Sequence, residues 1–254
     1  MAHDFTQWRD SVVASLSSRD DVVGIAGLGS TAATTRADEW SDLDLFIMVA
    51  PGAHDRYRHH VDWLPNADDV VLHLVEWHGG GKVLFRDGRF IEWGVGTPDE
   101  VATWVAGEGT VLLDRGGAAQ ALARAQATPF PVNAISLPDA LAAFVFSLHL
   151  GVARVRRGEI VSGGEIVRSE AVAALLRAAR AGLTPSDPGA VDAIDVRRRV
   201  ERAFPDLAEG IAAAVSQDPE PAARALLALA SAQFRDAIPA DAVAALSDRY
   251  GWSS

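Results

Sequence analysis

Two aspartates stand two residues apart at the start of an apolar run. Asp42 and Asp44 alternate with leucines in the stretch Asp42-Leu43-Asp44-Leu45-Phe46-Ile47. Because successive side chains of a strand point to opposite faces, this spacing places both carboxylates on one face and the leucines on the other. Two like charges so close repel unless a cation or a proton compensates them, and hard carboxylate oxygens suit Mg²⁺ that bridges to phosphate. The pair therefore predicts a magnesium site.

Eleven residues separate the aspartate pair from a glycine-serine turn, Gly29-Ser30. The turn follows the β-rich run Val22–Leu28, so a strand leads the chain into it. Gly29 has no Cβ, which lets backbone N–H groups approach an anion, and the Ser30 hydroxyl adds a further donor. The turn therefore predicts a cradle for a phosphate group.

A third acid, Glu92, lies within the hydrophobic run Phe90–Val95, where a charged residue is unexpected. If this run pairs as a strand beside the one that carries the aspartates, Glu92 joins them around the metal. Trp93 then points to the other face of its strand. The alternative, which the sequence leaves open, is that Glu92 is a surface residue of an edge strand.

The order of these features resembles the nucleotidyltransferase superfamily related to DNA polymerase β. Within it the chain is similar to the bacterial antibiotic nucleotidyltransferases, in particular to one branch of the lincosamide enzymes. The similarity extends into the second half, where Val155-Arg156-Arg157-Gly158-Glu159 and the later Arg168 match a stretch of their helical domain. The resemblance implies an enzyme with two domains that hold a nucleotide and an acceptor between them.

The same resemblance implies the reaction and the role of each site residue. A nucleoside monophosphate passes from a nucleoside triphosphate such as ATP to a hydroxyl of a small-molecule acceptor, a lincosamide or aminoglycoside antibiotic, and pyrophosphate is released. Gly29 and Ser30 would hold the triphosphate, and Ser41 matches a polar position that contacts phosphate. The two aspartates would bind Mg²⁺, and Glu92 would bind metal or take the acceptor proton. Two metal ions would stabilise the entering and leaving oxygens of the displacement at phosphorus.

The composition and the predicted secondary structure of the chain change near residue 130. Short β-rich runs alternate with helical stretches in residues 1–130, and residues 131–254 are Ala/Leu-rich with helical spacing. The sequence thus predicts an α/β (α+β) mixed-sheet catalytic domain followed by an all-α helical bundle of about five members that binds the acceptor. The glycine run Gly79-Gly80-Gly81 and the dipeptide Asp87-Gly88 predict two antiparallel hairpins. The predicted strands are Val22–Leu28, Leu43–Val49, Val70–Trp77, Val83–Phe85, Phe90–Val95 and Thr110–Leu113. The predicted helices are Phe5–Leu16, His54–Leu64, Pro98–Val105, Ala118–Ala127, one long helix from near Pro138, Glu165–Ala181, Val196–Val215, Ala222–Arg235 and Ala240–Arg249.

Composition and charge narrow the classes of partner. The 254 residues include no cysteine, which excludes a disulfide framework and a thiolate metal site. The formal net charge is −11, and the residues up to Phe130 hold 10 basic against 19 acidic side chains, so nucleic acid is not an expected partner. The most apolar stretch, Leu141 to Ala153, is too short to cross a bilayer. We expect a cytoplasmic protein with no membrane partner.

Three alternatives remain beside the nucleotidyltransferase hypothesis. Gly27 to Ala32 fits the G-x-G-x-x-A dinucleotide fingerprint, but the acids precede the next strand instead of ending it. A regulatory module could keep the fold and bind nucleotide without turnover, although the complete acidic set argues against this. Transfer to RNA or protein by the same chemistry is open. The sequence does not determine the oligomeric state.

Overall fold

The computed structural model describes residues 2–32, 37–38, 40–76, 79–129 and 135–252. The chain divides into two compact units, Met1–Pro129 and Phe130–Ser254, a boundary one residue before the predicted one. Trp77, the last residue of the predicted strand Val70–Trp77, and the residues on either side of the predicted boundary, 130 and 131, lie outside the described residues.

The first unit is built on a six-stranded mixed sheet. Its strands have the spatial order β3-β4-β5-β2-β1-β6, in which β2 and β5 are parallel and the remaining neighbours are antiparallel. The strands are β1 (Val22–Leu28), β2 (Leu43–Val49), β3 (Val70–Val75), β4 (Gly81–Phe85), β5 (Phe90–Gly96) and β6 (Gly109–Asp114). Both predicted hairpins are confirmed, since β3-β4 and β4-β5 pair antiparallel. The antiparallel pairing of β1 with β2 is incompatible with the βαβ unit that a dinucleotide-binding fold requires.

Four helices cover the two faces of this sheet: α1 (Ala2–Ser17), α2 (His54–His59), α3 (Pro98–Val101) and α4 (Ala118–Ala127). Alternation along β2 sends Leu43, Leu45 and Ile47 to the face that packs on α1 and α2. Met48 points to the opposite face and packs with α3 and α4. Asp44 shares that second face, at the end of β2 that the helices leave open. The predicted helix from His54 to Leu64 is too long, because it ends at His59.

The second unit consists of helices, as the sequence predicts. They are α5 (Leu137–Arg156), α6 (Ile160–Glu165), α7 (Val172–Gly182), α8 (Val200–Ala203), α9 (Pro205–Val215), α10 (Pro219–Gln233) and α11 (Ala240–Tyr250). A π-helical segment, Ile166–Ala171, joins α6 to α7. The single helix predicted over Val196–Val215 is wrong, because proline cannot continue a helix and Pro205 instead starts α9. The predicted fold class, a mixed sheet followed by an all-α region, is confirmed.

Helix α5 forms the centre of the second core. It is one described helix that is long and apolar enough to cross a membrane by length and composition, and it extends beyond the predicted apolar stretch at both ends. Leu141, Phe144, Leu148 and Val152 are fully buried and recur at helical spacing within the core of the unit. These four residues place one side of α5 in the core of the second unit.

Candidate active site

One row of paired residues crosses four strands of the sheet and places Asp44 beside Glu92. Leu74 on β3 pairs with Lys82 on β4, Lys82 pairs with Glu92 on β5, and Glu92 pairs with Asp44 on β2. Directly paired side chains lie on the same face of a sheet. The conditional prediction that the strand of Glu92 lies beside the strand of the aspartates is therefore confirmed, and the edge-strand alternative is wrong.

The glycine-serine turn is joined to β2 through Thr31. Gly29 has a φ of +54°, the left-handed region that favours glycine, and its N–H donates to the Glu108 carbonyl at 2.9 Å. Thr31 is completely buried, and its hydroxyl accepts the backbone N–H of Asp44 at 2.9 Å. The Ser30 hydroxyl faces the Asp42 carbonyl at 3.4 Å. The turn and the aspartates thus form one connected segment.

A Cβ built on Gly29 would lie 3.7 Å from Oδ2 of Asp44, so the carboxylate reaches the turn directly. Asp42 stands just before β2 and is half-buried, like Asp44, whereas Leu43 and Leu45 are buried. This alternation is what the predicted common face of the two carboxylates requires. Among the described residues, the Asp42 carboxylate makes no hydrogen bond or ion pair.

The donor set fits a magnesium ion held by two carboxylates. Within the described ranges, no three acidic or histidine side chains come together as a metal-binding group. Mg²⁺ keeps several waters and is commonly bound by one or two protein carboxylates plus substrate phosphates, so a pair beside a phosphate cradle suits it. Asp42 and Asp44 are the residues that would hold it.

Glu92 is engaged on its other side by a lysine. Nζ of Lys82 lies 3.4 Å from Oε1 of Glu92 and 3.0 Å from Oε1 of Glu76. The hydrogen bond to Glu76 is the main reason that the pKa of Lys82 is raised, with a further contribution from the charge of Glu92. The two carboxylates therefore favour the charged form of Lys82. The second oxygen of Glu92, Oε2, has no partner among the described side chains.

A cavity of about 340 Å³ opens beside the two strand carboxylates. Asp44 and Glu92 line its polar side, and Phe46 and Trp104 line its apolar side. The two rings meet edge to face at a centroid distance of 5.0 Å. Trp104 fits over β5 because residue 94 is glycine: a Cβ there would lie 2.8 Å from its ring. The sequence analysis missed this aromatic wall.

The other predicted positions are placed as follows. The Ser41 hydroxyl donates to Oδ1 of Asp38 at 3.0 Å and accepts the Asp38 N–H at 3.0 Å, so both of these hydrogen bonds are with Asp38.

In the helical unit, Arg168 donates to the carbonyls of Val215 and Gln217 at the end of α9. Arg156 pairs with Glu220 at 2.5 Å. These arginines make contacts that stabilise the helical unit.

No family model matches this chain, and no curated protein matches it. Among solved structures, an aminoglycoside 6-adenyltransferase from Bacillus subtilis is similar over 94% of this chain and 89% of its own, with 13% sequence identity and a TM-score of 0.31. A likeness at this level carries no argument about function, so the function is inferred from the geometry of the site.

Proposed function

We propose that the chain is a nucleotidyltransferase that transfers a nucleoside monophosphate from a nucleoside triphosphate to a hydroxyl of a small-molecule acceptor. The observation that carries the proposal is the pairing of Asp44 with Glu92 across β2 and β5, at the mouth of one cavity. The connection from the glycine-serine turn through Thr31 to Asp44 supports it, because phosphate and metal ligands then share one segment.

Each residue has a role that follows from its chemistry. The Gly29-Ser30 turn binds the triphosphate with the Ser30 hydroxyl as donor, because the Gly29 N–H is already bonded to the Glu108 carbonyl. Asp42 and Asp44 hold Mg²⁺, which supplies neutralisation of the phosphate charge when it is bound. Glu92 accepts the proton of the acceptor hydroxyl through its unpartnered oxygen, Oε2. The hydroxyl oxygen then bonds to the α-phosphorus, and pyrophosphate leaves with the electron pair of the broken P–O bond.

The proposed acceptor is a small molecule, and the antibiotic classes named above are its first candidates. The acidic first unit does not favour RNA as acceptor. The roles of the two units, catalytic and acceptor-binding, and the cytoplasmic location stay predictions, as does the phosphate contact of Ser41.

The test is a transfer assay. The protein is incubated with Mg²⁺, each of the four nucleoside triphosphates and a panel of lincosamides, aminoglycosides, RNAs and proteins, and the mass of each acceptor is followed. A gain of one nucleoside monophosphate on a small molecule supports the proposal. Tight triphosphate binding without mass gain on any acceptor would favour the regulatory module instead.

A further inference from the structure

Lys82 is the only lysine of the chain, and it stands in the same row of the sheet as the two strand carboxylates. Its ammonium lies between two carboxylates, at 3.0 Å from Glu76 and 3.4 Å from Glu92. Its other neighbour in the row, Leu74, is 53% exposed and offers no polar atom. The lysine is therefore directed at the two acids by the register of the β3-β4-β5 meander.

We propose that Lys82 is a positioning residue that holds Glu92 out of the coordination shell of the metal and so reserves it as the base. This inference rests on the proposed function. The ammonium occupies Oε1 of Glu92 on the β4 side, whereas the aspartates lie on the β2 side. The carboxylate that would complete a three-ligand metal site is thus drawn toward β4. The missing three-ligand group among the described residues agrees with this division of roles.

A role of Lys82 as a phosphate ligand is the competing explanation. The surroundings of Lys82 do not favour this role, because two carboxylates already surround the one ammonium and the three groups together carry a charge of −1. A lysine that must reach a triphosphate would have to leave Glu76 and Glu92, and both carboxylates would then lose its charge beside an anion. The partial burial of the Glu76 carboxylate, at 19% exposure, makes that separation costly.

The experiment measures Mn²⁺ binding by electron paramagnetic resonance in the absence of nucleotide, so it needs no turnover. The variants are Lys82→Met, Lys82→Arg, Glu92→Gln, the double variant Lys82→Met/Glu92→Gln, and Glu76→Gln, which loosens the lysine from its anchor. Folding of each variant is checked by circular dichroism and its melting temperature. Triphosphate binding is measured beside Mn²⁺ binding.

Removing the ammonium frees Glu92 for the cation and removes one like charge, so Lys82→Met should bind Mn²⁺ roughly tenfold more tightly. The gain should vanish in the double variant and should be absent in Lys82→Arg, which keeps the charge. Glu76→Gln should give part of the gain. Glu92→Gln alone should leave Mn²⁺ affinity nearly unchanged, because Glu92 is not a ligand in the wild-type protein.

Two results would overturn the inference. A large loss of Mn²⁺ affinity in Glu92→Gln would make Glu92 a metal ligand. Unchanged Mn²⁺ affinity in Lys82→Met together with weakened triphosphate binding would make Lys82 a phosphate ligand. Failure of the proposed function has a different signature: Asp42→Asn/Asp44→Asn would then bind Mn²⁺ as the wild-type protein does.

Discussion

Asp44 and Glu92 are partners across β2 and β5, the one parallel pair among the described strands. Neighbouring strands lie about 4.8 Å apart, so the two carboxylates start from backbone positions at that separation and share one face. Lys82 compensates the charge of Glu92, and no comparable lysine stands on the β2 side. A bound divalent cation at Asp42 and Asp44 would neutralise the charge of these two carboxylates.

The first prediction concerns this charge balance. Asp44→Asn should abolish Mn²⁺ binding and lower transfer by at least about 10²-fold, because the phosphate charge is no longer neutralised. The melting temperature of the metal-free protein should rise, since the like-charge repulsion with Asp42 is relieved. Calorimetry and thermal scans measure both effects. Asp20→Asn, an exposed aspartate of the same unit, is the matched control and should change neither.

The second prediction concerns the phosphate cradle. Ser30→Ala should weaken triphosphate binding by about 1.5–3 kcal/mol, the contribution of one hydrogen bond to a charged group. Acceptor binding should hardly change. Titration calorimetry gives the dissociation constants, with Ser18→Ala in the same unit as control because its hydroxyl only bonds to the Ser15 carbonyl. If Ser30→Ala leaves the triphosphate affinity unaltered, the glycine-serine turn has only a structural role.

The third prediction concerns the link from the turn to β2. Thr31→Val keeps the shape of the buried side chain but removes the acceptor of the Asp44 N–H. The free energy of unfolding should therefore fall by about 1–3 kcal/mol. Thr31→Ser keeps the oxygen and should retain most of the stability. Urea unfolding measures both variants. A Thr31→Val variant as stable as the wild-type protein would show that the hydrogen bond is dispensable.

The fourth prediction separates binding from chemistry at Glu92. Glu92→Gln keeps the shape but loses the basicity, so turnover should fall by roughly 10²–10⁴-fold while triphosphate binding persists. Steady-state kinetics with parallel calorimetry measures the two quantities. Asp99→Asn, at the exposed start of α3, serves as control. Near-normal turnover of Glu92→Gln would show that Glu92 is not the base.

The fifth prediction concerns the aromatic wall of the cavity. In Gly94→Ala the new Cβ would lie 2.8 Å from the Trp104 ring, so the ring must shift and the cavity must change shape. Overpacking of this kind costs about 1–3 kcal/mol of stability. The KM of whichever substrate occupies the cavity should rise more than kcat falls. Gly116→Ala, where the added Cβ would lie 3.4 Å from Val23, provides the control with room for the methyl group.

The parts of the fold that the sequence predicts best are those where local pattern and turn chemistry agree. The bounds predicted for β1 and β2 match the structure, because both strands alternate or run apolar between clear turn signals. The end of the preceding helix before Pro205 is also indicated locally, by the proline itself. The prediction of one helix over Val196–Val215 instead followed the apolar periodicity on both sides of it. Proline within a helical pattern outweighs that periodicity.

The parts of the site that the sequence did not predict depend on register and packing. The approach of Lys82 to Glu76 and Glu92 requires the pairing of three strands, which no spacing within one strand encodes. The wall formed by Trp104 requires that a residue from beyond α3 folds back over Gly94. Contacts of this kind follow from tertiary structure. The sequence alone shows only that an acid, Glu92, lies inside an apolar strand.

The parallel pairing of β2 with β5 also bears on how the protein acquires its site during folding. Residues 44 and 92 are 48 positions apart, and the chain between them contains α2 and the β3-β4 hairpin. Contacts between residues so distant in sequence close late, because the entropy of loop closure must be overcome first. A nascent chain that has made only β1 and β2 presents the phosphate turn and the aspartates without the base. Competence for chemistry thus requires the sheet to have assembled as far as β5.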